Sequence, residues 1–109
     1  KKEDRVYFLV KNNSHPIGVI DFTNIDYENK RTEFGIYANP ALKGVGNFLM
    51  KTILNYAFDV LKVNILISEV FEENASAVKL YNRYNFKEIK IKKRNDKNVI
   101  YMELKNENR

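Results

Sequence analysis

At Val45 the apolar residues of this chain change their period. Upstream they alternate every second position, as in "TEFGIYA" (32–38); downstream Val45, Phe48, Leu49, Ile53, Tyr56, Ala57, Val60 and Leu61 recur every three or four. The first spacing is that of a strand with two unlike faces and the second that of one face of an α-helix. The junction, "NPALKGVGNFLM" (39–50), carries two of the chain's four glycines. A strand that runs through a proline and a glycine turn into a long amphipathic helix opens a strand-helix-strand unit, and a chain built around one is an α/β protein.

The flanking segments extend this reading. "RVYFLVK" (5–11) and "IGVIDFTNI" (17–25) have the β-branched and aromatic content of strands, and "NNSHP" between them is a turn signature. In the second strand Gly18, Ile20 and Phe22 share one side, while Ile17, Val19, Asp21 and Thr23 share the other, which places a carboxylate in mid-strand. "NILISEVF" (64–71) has few polar residues and reads as a largely buried strand. A second helix begins near Asn74, with Ala77, Leu80, Tyr81 and Tyr84 along one stripe. "FKEIKIKK" (86–93) and "NVIYMELK" (98–105) flank "RNDK" as a terminal hairpin. The predicted order is three strands, a helix, a strand, a helix and two strands, in a mixed, mostly antiparallel sheet flanked by helices. The two strands joined by the first helix are predicted to be parallel. Open sheets of this kind bind ligands beyond the carboxyl ends of their strands, which is where the glycine stretch falls.

Composition narrows the chemistry. With 109 residues, 44% hydrophobic and 30% charged, the chain is expected to form a single domain over 1–109. It contains no cysteine, which excludes a disulfide framework, a thiolate zinc site and a cysteine nucleophile, and fits a reducing compartment. No apolar run reaches the roughly 18 residues of a membrane span, and no signal-peptide pattern opens the sequence. The expectation is a cytoplasmic protein with no membrane partner. A net charge of +5 favours an anionic ligand: a nucleic acid, a phosphate ester or a nucleotide cofactor. The aromatic RNP-type run of an RNA-binding sheet is absent. His15, before Pro16 in the expected turn, offers no partner for a Ser-His-Asp arrangement. In "KEIKIKKRNDK" (87–97) alternation puts Lys90, Lys92 and Arg94 on one face, either as an edge strand guarded against aggregation or as an attractor of phosphates.

In "LKGVG", Gly44 and Gly46 permit a tight turn and close approach to backbone N–H groups. The first helical turn adds unpaired N–H donors and a partial positive charge suited to a pyrophosphate. The full G-x-G-x-x-G of a dinucleotide fold and the G-K-[ST] ending of a Walker loop are both missing.

Taken with "ENASAVKLYNRYNF" (73–86), the loop resembles the GNAT acyl-CoA N-acetyltransferases. Their loop is written [RQ]-x-x-G-x-[GA], and their second motif N-x-x-A-x-x-x-Y-x-x-x-G-F. Residues 41–46 match both glycine positions, with Ala41 where Arg or Gln is usual. Residues 74–86 match the second motif, with Asn85 in place of the glycine before Phe86; asparagine is the next best residue for a left-handed helix cap. A wider resemblance, carried by "YFLVKNNSHPIGVIDFTNI", "EFGIYANPALKGVGNFLM" and "NASAVKLYNRYNF", is to the pseudaminic-acid pathway acetyltransferases of flagellated bacteria. These acetylate the 4-amino group of a UDP-linked 4-amino-4,6-dideoxy-N-acetyl-altrosamine, a step toward the sugar that decorates flagellin.

The resemblance implies the GNAT fold, acetyl-CoA as co-substrate, no metal, a UDP-aminosugar as acceptor and a cytoplasmic location, and leaves room for a homodimer. It also implies a strand and two helices ahead of "YFLV" that help form the acceptor pocket; these are expected to be missing here, as in an N-terminally truncated domain. Other readings stay open: a protein N-terminus or another small amine as acceptor, a CoA-binding domain without turnover, or a basic RNA-binding module.

By the same resemblance the cofactor would be held by Ile36, Tyr37 and Ala38, by Leu42, Lys43, Gly44, Val45, Gly46 and Asn47, and by Asn74, Ala77 and Tyr81. A backbone N–H near Tyr37 would stabilise the thioester oxygen, and Tyr81 would protonate the departing thiolate. From the stripe alone Tyr81 reads equally well as a core residue, and Asn74 equally well as a helix N-cap. Asp21, Glu33 and Glu69 are the candidate bases. Asp21 ranks first because it interrupts an apolar strand on the family's acceptor side, and Glu33 next because GNAT enzymes often use a glutamate on that strand.

Overall fold

A computed structural model describes residues 4–109. Strand β1 (Val6–Asn12) pairs with β2 (His15–Asp26), and β2 with β3 (Arg31–Ala38), all antiparallel. The chain then enters α1 (Val45–Asn55), returns in β4 (Ile65–Phe71), passes through α2 (Ala75–Arg83) and ends in the hairpin β5 (Lys87–Arg94) and β6 (Lys97–Lys105). The six strands lie in the order β1-β2-β3-β4-β6-β5. Only β3 and β4 are parallel, and only over Arg31, Thr32 and Glu33 against Ile65, Leu66 and Ile67. The mixed, mostly antiparallel sheet and the parallel strand-helix-strand unit agree with the sequence.

Both hairpins are tighter than expected. Asn13 and Ser14 turn the first with φ of 51° and 71°, and Asn95 and Asp96 the second with φ of 53° and 65°. Two successive left-handed residues are the turn whose twist matches paired strands, and Asn and Asp tolerate that conformation. His15 and Pro16 therefore belong to β2 rather than to a turn, and His15 is exposed at the strand's start.

The first helix also departs from expectation. Its buried face is Leu49, Met50, Ile53, Leu54, Ala57 and Phe58, while Phe48 and Val60 are 48% and 60% exposed. Buried residues every fourth position drift around a helix of 3.6 residues per turn. A single wide turn at Tyr56–Val60 offsets that drift, with the N–H of Leu61 reaching back five residues to the carbonyl of Tyr56 at 2.9 Å. The helix expected over 45–61 is thus an α-helix closed by a π-turn.

One face of the sheet forms the core beneath the helices. Phe22 stacks on Tyr56 at 5.3 Å, and Phe34 packs against Tyr81 and Phe86, each at 5.6 Å. Asn85 takes φ of 72° after α2, the left-handed cap that its place in the motif requires. Among the described residues, no helix is long and apolar enough to cross a membrane.

Candidate active site

Beyond Glu33 and Ile67 the parallel ladder lapses, so β3 and β4 diverge and a slot opens between them. Pairing of β3 with β2 continues to Ala38, and the N–H of Asn39 reaches the carbonyl of Ile17 at 2.8 Å. Backbone groups alternate in direction along a strand. The N–H and C=O of Tyr37 thus point toward β2, and those of Ile36 and Ala38 point into the slot. Unpaired main-chain donors at a strand edge are what an extended amide-bearing chain or a developing oxyanion binds.

The slot widens into a cleft of about 630 Å³ that runs to the start of α1 and the side of α2. Its floor is Phe34, Gly35, Ile36, Tyr37 and Ala38 on one side and Ser68, Glu69, Val70 and Phe71 on the other. Leu42, Gly44, Val45, Gly46 and Asn47 close one end, with Asn74, Ser76, Ala77, Leu80, Tyr81 and Arg83 above. Gly44 precedes α1 with φ of 75°, and the first turn of the helix has neither a side-chain cap nor an acidic residue. The helix thus presents free N–H groups and the positive end of its dipole to the cleft, the donor set a diphosphate fits. Gly46 serves packing: a Cβ there would lie 3.3 Å from Leu80 Cδ2, so its bare backbone lets α2 close against α1. The brace lost with Ala41 comes from Asn39, whose side chain accepts the N–H of Ala41 at 3.0 Å and donates to the carbonyl of Pro16 at 3.2 Å.

Tyr81 is 7% exposed, and Ser68 on β4 lies beside its hydroxyl. Burial pushes its pKa above the ordinary 10.0, opposed by Ser68. It is both a core residue and a lining of the cleft. Asn74 caps α2, accepting the N–H of Ala77 at 3.3 Å, and also lines the cleft.

The candidate carboxylates separate. Glu33 stands where β3 and β4 are still paired, and its Oε2 accepts the side-chain amide of Asn24 at 2.7 Å. Asp21 lies buried in β2 opposite Gly35, and its carboxylate and the Tyr37 hydroxyl converge over that glycine. Only Glu69 lines the cleft, held by Lys92 at 2.7 Å and Arg94 at 2.9 Å. Those cations, the Lys92 hydrogen bond foremost, hold its carboxyl below the usual range. Lys43 is exposed and is not among the residues that line the cleft. The expected Ile36, Tyr37, Ala38, Leu42, Gly44, Val45, Gly46, Asn47, Asn74, Ala77 and Tyr81 all meet there. Ser68, Ser76, Leu80 and Arg83 were not foreseen; their positions opposite the slot or along α2 follow from how the helices pack, which the stripe of α2 only partly signals.

Residues 1–86 match the acetyltransferase (GNAT) family, and the chain belongs to that family. Over 80 residues it is 54% identical to "Acetyltransferase PseH" of Campylobacter jejuni, an alignment that takes in 73% of this chain and 50% of the relative. The chain spans about half the length of the curated relatives of that name. In three dimensions it resembles the crystal structure of the Campylobacter jejuni N-acetyltransferase PseH in complex with acetyl coenzyme A, with a TM-score of 0.85 and 45% identity over 95% of this chain and 70% of that one. It also resembles a mutant of spermidine N-acetyltransferase from Vibrio cholerae, with a TM-score of 0.87 and 26% identity over 94% of this chain and 66% of the other.

Proposed function

We propose that this chain carries the acetyl-CoA site of an N-acetyltransferase of the PseH type, which moves an acetyl group from acetyl-CoA to the 4-amino group of a UDP-linked 4-amino-4,6-dideoxy-N-acetyl sugar in the cytoplasm. The observation that carries the reading is the slot between β3 and β4, which opens onto the bare N-terminus of α1 at one end and onto the Tyr81 phenol above. The pyrophosphate lies on the N–H groups of Gly44, Val45, Gly46 and Asn47, and the pantetheine arm along Ile36 and Ala38. The slot-facing N–H donors meet the oxyanion of the thioester. A neutral amine attacks the thioester carbon directly, the C–S bond breaks, and Tyr81 protonates the thiolate. The raised pKa of Tyr81 keeps its proton in place through the neutral range.

A polyamine acceptor, suggested by the likeness to spermidine N-acetyltransferase, suits this chain less. A net charge of +5, with the cleft-lining Glu69 neutralised by Lys92 and Arg94, disfavours a polycation and suits a nucleotide sugar. Competition between the UDP-aminosugar and spermidine for acetyl-CoA, read by mass of the products, tests the assignment. The sugar product is expected to dominate by at least an order of magnitude in kcat/KM; preferential acetylation of spermidine overturns it.

A further inference from the structure

We propose that Asp21 and Tyr37 form a two-residue proton relay at the open-face mouth of the slot, through which the acceptor amine loses its proton; the relay rests on the acetyl-transfer reading given above. The geometry begins at Gly35. A Cβ built there would stand 2.7 Å from Asp21 Oδ1, 3.0 Å from Tyr37 Oη and 3.2 Å from Tyr37 Cε2. The phenol of Tyr37 is therefore folded back along its own strand, across a bare α-carbon, to meet a carboxylate on the neighbouring strand. Any side chain at 35 would fill that passage.

The two groups are unlike in exposure. Asp21 is 7% exposed and Tyr37 60%; Asp21 lies outside the cleft lining and Tyr37 within it. A buried carboxylate requires a donor, and the Tyr37 hydroxyl, which meets it over the bare α-carbon of Gly35, is placed to be one. A phenol has a single O–H. A proton given inward to Asp21 leaves the oxygen's lone pairs as acceptors for an ammonium or amine N–H at the cleft that Tyr37 lines. The charge of Asp21, followed by burial, raises the Tyr37 pKa, so the phenol keeps its proton until another arrives. Tyr7 faces Asp21 from β1 in register, with Arg5 bonded to the Tyr7 hydroxyl at 3.2 Å; Tyr37 faces it from β3. Glu69, across the slot, has both oxygens engaged by Lys92 and Arg94 and is the poorer acceptor of a proton.

The step balances. The ammonium N–H bond breaks toward Tyr37 Oη as the hydroxyl proton passes to a carboxylate oxygen of Asp21, and the electron pair stays on nitrogen to attack the thioester carbon. The adduct loses its second N–H proton as it collapses, which balances the one that Tyr81 gives the thiolate, and Asp21 returns its proton to water. Tyr37 touches the substrate and is a catalytic residue; Asp21 acts through it and is a positioning residue.

Tyr37→Phe and Asp21→Asn variants of the intact protein, assayed with the aminosugar acceptor and by calorimetry with acetyl-CoA, test the relay. Each is expected to lower kcat about 100-fold at neutral pH, within the range for loss of acid-base catalysis, with acetyl-CoA affinity within about twofold of wild type because main-chain donors hold the cofactor. Raising the pH above the acceptor amine's own pKa, where solvent has already removed the proton, is expected to close most of the gap. Wild-type kcat in Tyr37→Phe at neutral pH, or a deficit that stays constant with pH, overturns the relay alone. A wild-type protein that binds no acetyl-CoA overturns the reading of the cleft and the relay with it.

Discussion

Lys92 Nζ lies 2.7 Å from the Glu69 carboxylate, tying the outermost strand of the sheet to the lip of the cleft across β6. Arg94 adds a second bond at 2.9 Å. Glu69 is thus the point at which an otherwise solvated edge strand, with every residue of β5 exposed, is fastened to the site.

This fastening has a pH signature. The Lys92 hydrogen bond, with Arg94 and against the opposing effect of burial, holds the Glu69 carboxyl below its ordinary 4.5. A carboxyl lowered in the folded state contributes stability that is present above its unfolded pKa and is lost as pH falls through the folded one. Thermal melting from pH 7 to 3 is expected to show wild type ahead of Glu69→Gln above pH 4.5, with the lead shrinking as pH falls below it. A lead as large at pH 3 as at pH 7 contradicts the pairing.

Replacing Tyr81 with Phe keeps the ring against Phe34 and Phe86 and removes only the hydroxyl. Turnover is expected to fall by about 10² to 10⁴, with acetyl-CoA affinity little changed. Because burial lifts the phenol above 10.0, the wild-type acid stays loaded across the neutral range, and a falling limb assigned to Tyr81 belongs above pH 10. Steady-state kinetics against pH check both.

Gly44 and Lys43 are neighbours with opposite expectations. Gly44 holds φ of 75°, so Gly44→Ala is expected to cost about 1–2 kcal/mol of stability and to weaken acetyl-CoA binding measurably. Lys43→Ala, outside the cleft lining, is expected to leave affinity within about twofold, as befits an exposed charge. Calorimetry on the two variants separates main-chain from side-chain recognition of the diphosphate.

The phase of α1 is open to a similar contrast. Met50 is fully buried and Phe48 half exposed. Met50→Ala is expected to cost about 2–5 kcal/mol, and Phe48→Ala about 0.5 kcal/mol, by urea unfolding.

Features set by local chemistry were legible in the sequence. The period change at Val45, the left-handed Asn85 and the glycine loop each depend on residues a few positions apart, and each stands where the pattern put it. Features set by how elements meet were harder to read. Phe48 and Met50 are equally apolar, and the packing of α1 on the sheet decides which of them is buried; the π-turn at Tyr56–Val60 is likewise written in no single residue. Ser68 could be recognised as a partner for Tyr81 only once β4 and α2 were placed together. Asp21 stood out as a carboxylate in mid-strand, whereas its link to Tyr37 depends on Gly35, a residue on another strand. Lys43 has a motif position beside Gly44, yet it is exposed and outside the cleft lining.

The central claim is that main-chain donors at the divergence of β3 and β4, and at the start of α1, grip acetyl-CoA. Titration of isotopically labelled protein with acetyl-CoA, followed by amide proton-nitrogen NMR, tests it most directly. The amides of Ile36, Ala38, Gly44, Val45, Gly46 and Asn47 are expected to shift saturably and together, while those of β5 stay in place. Absence of saturable shifts in that set, or shifts confined to β5, contradicts the account.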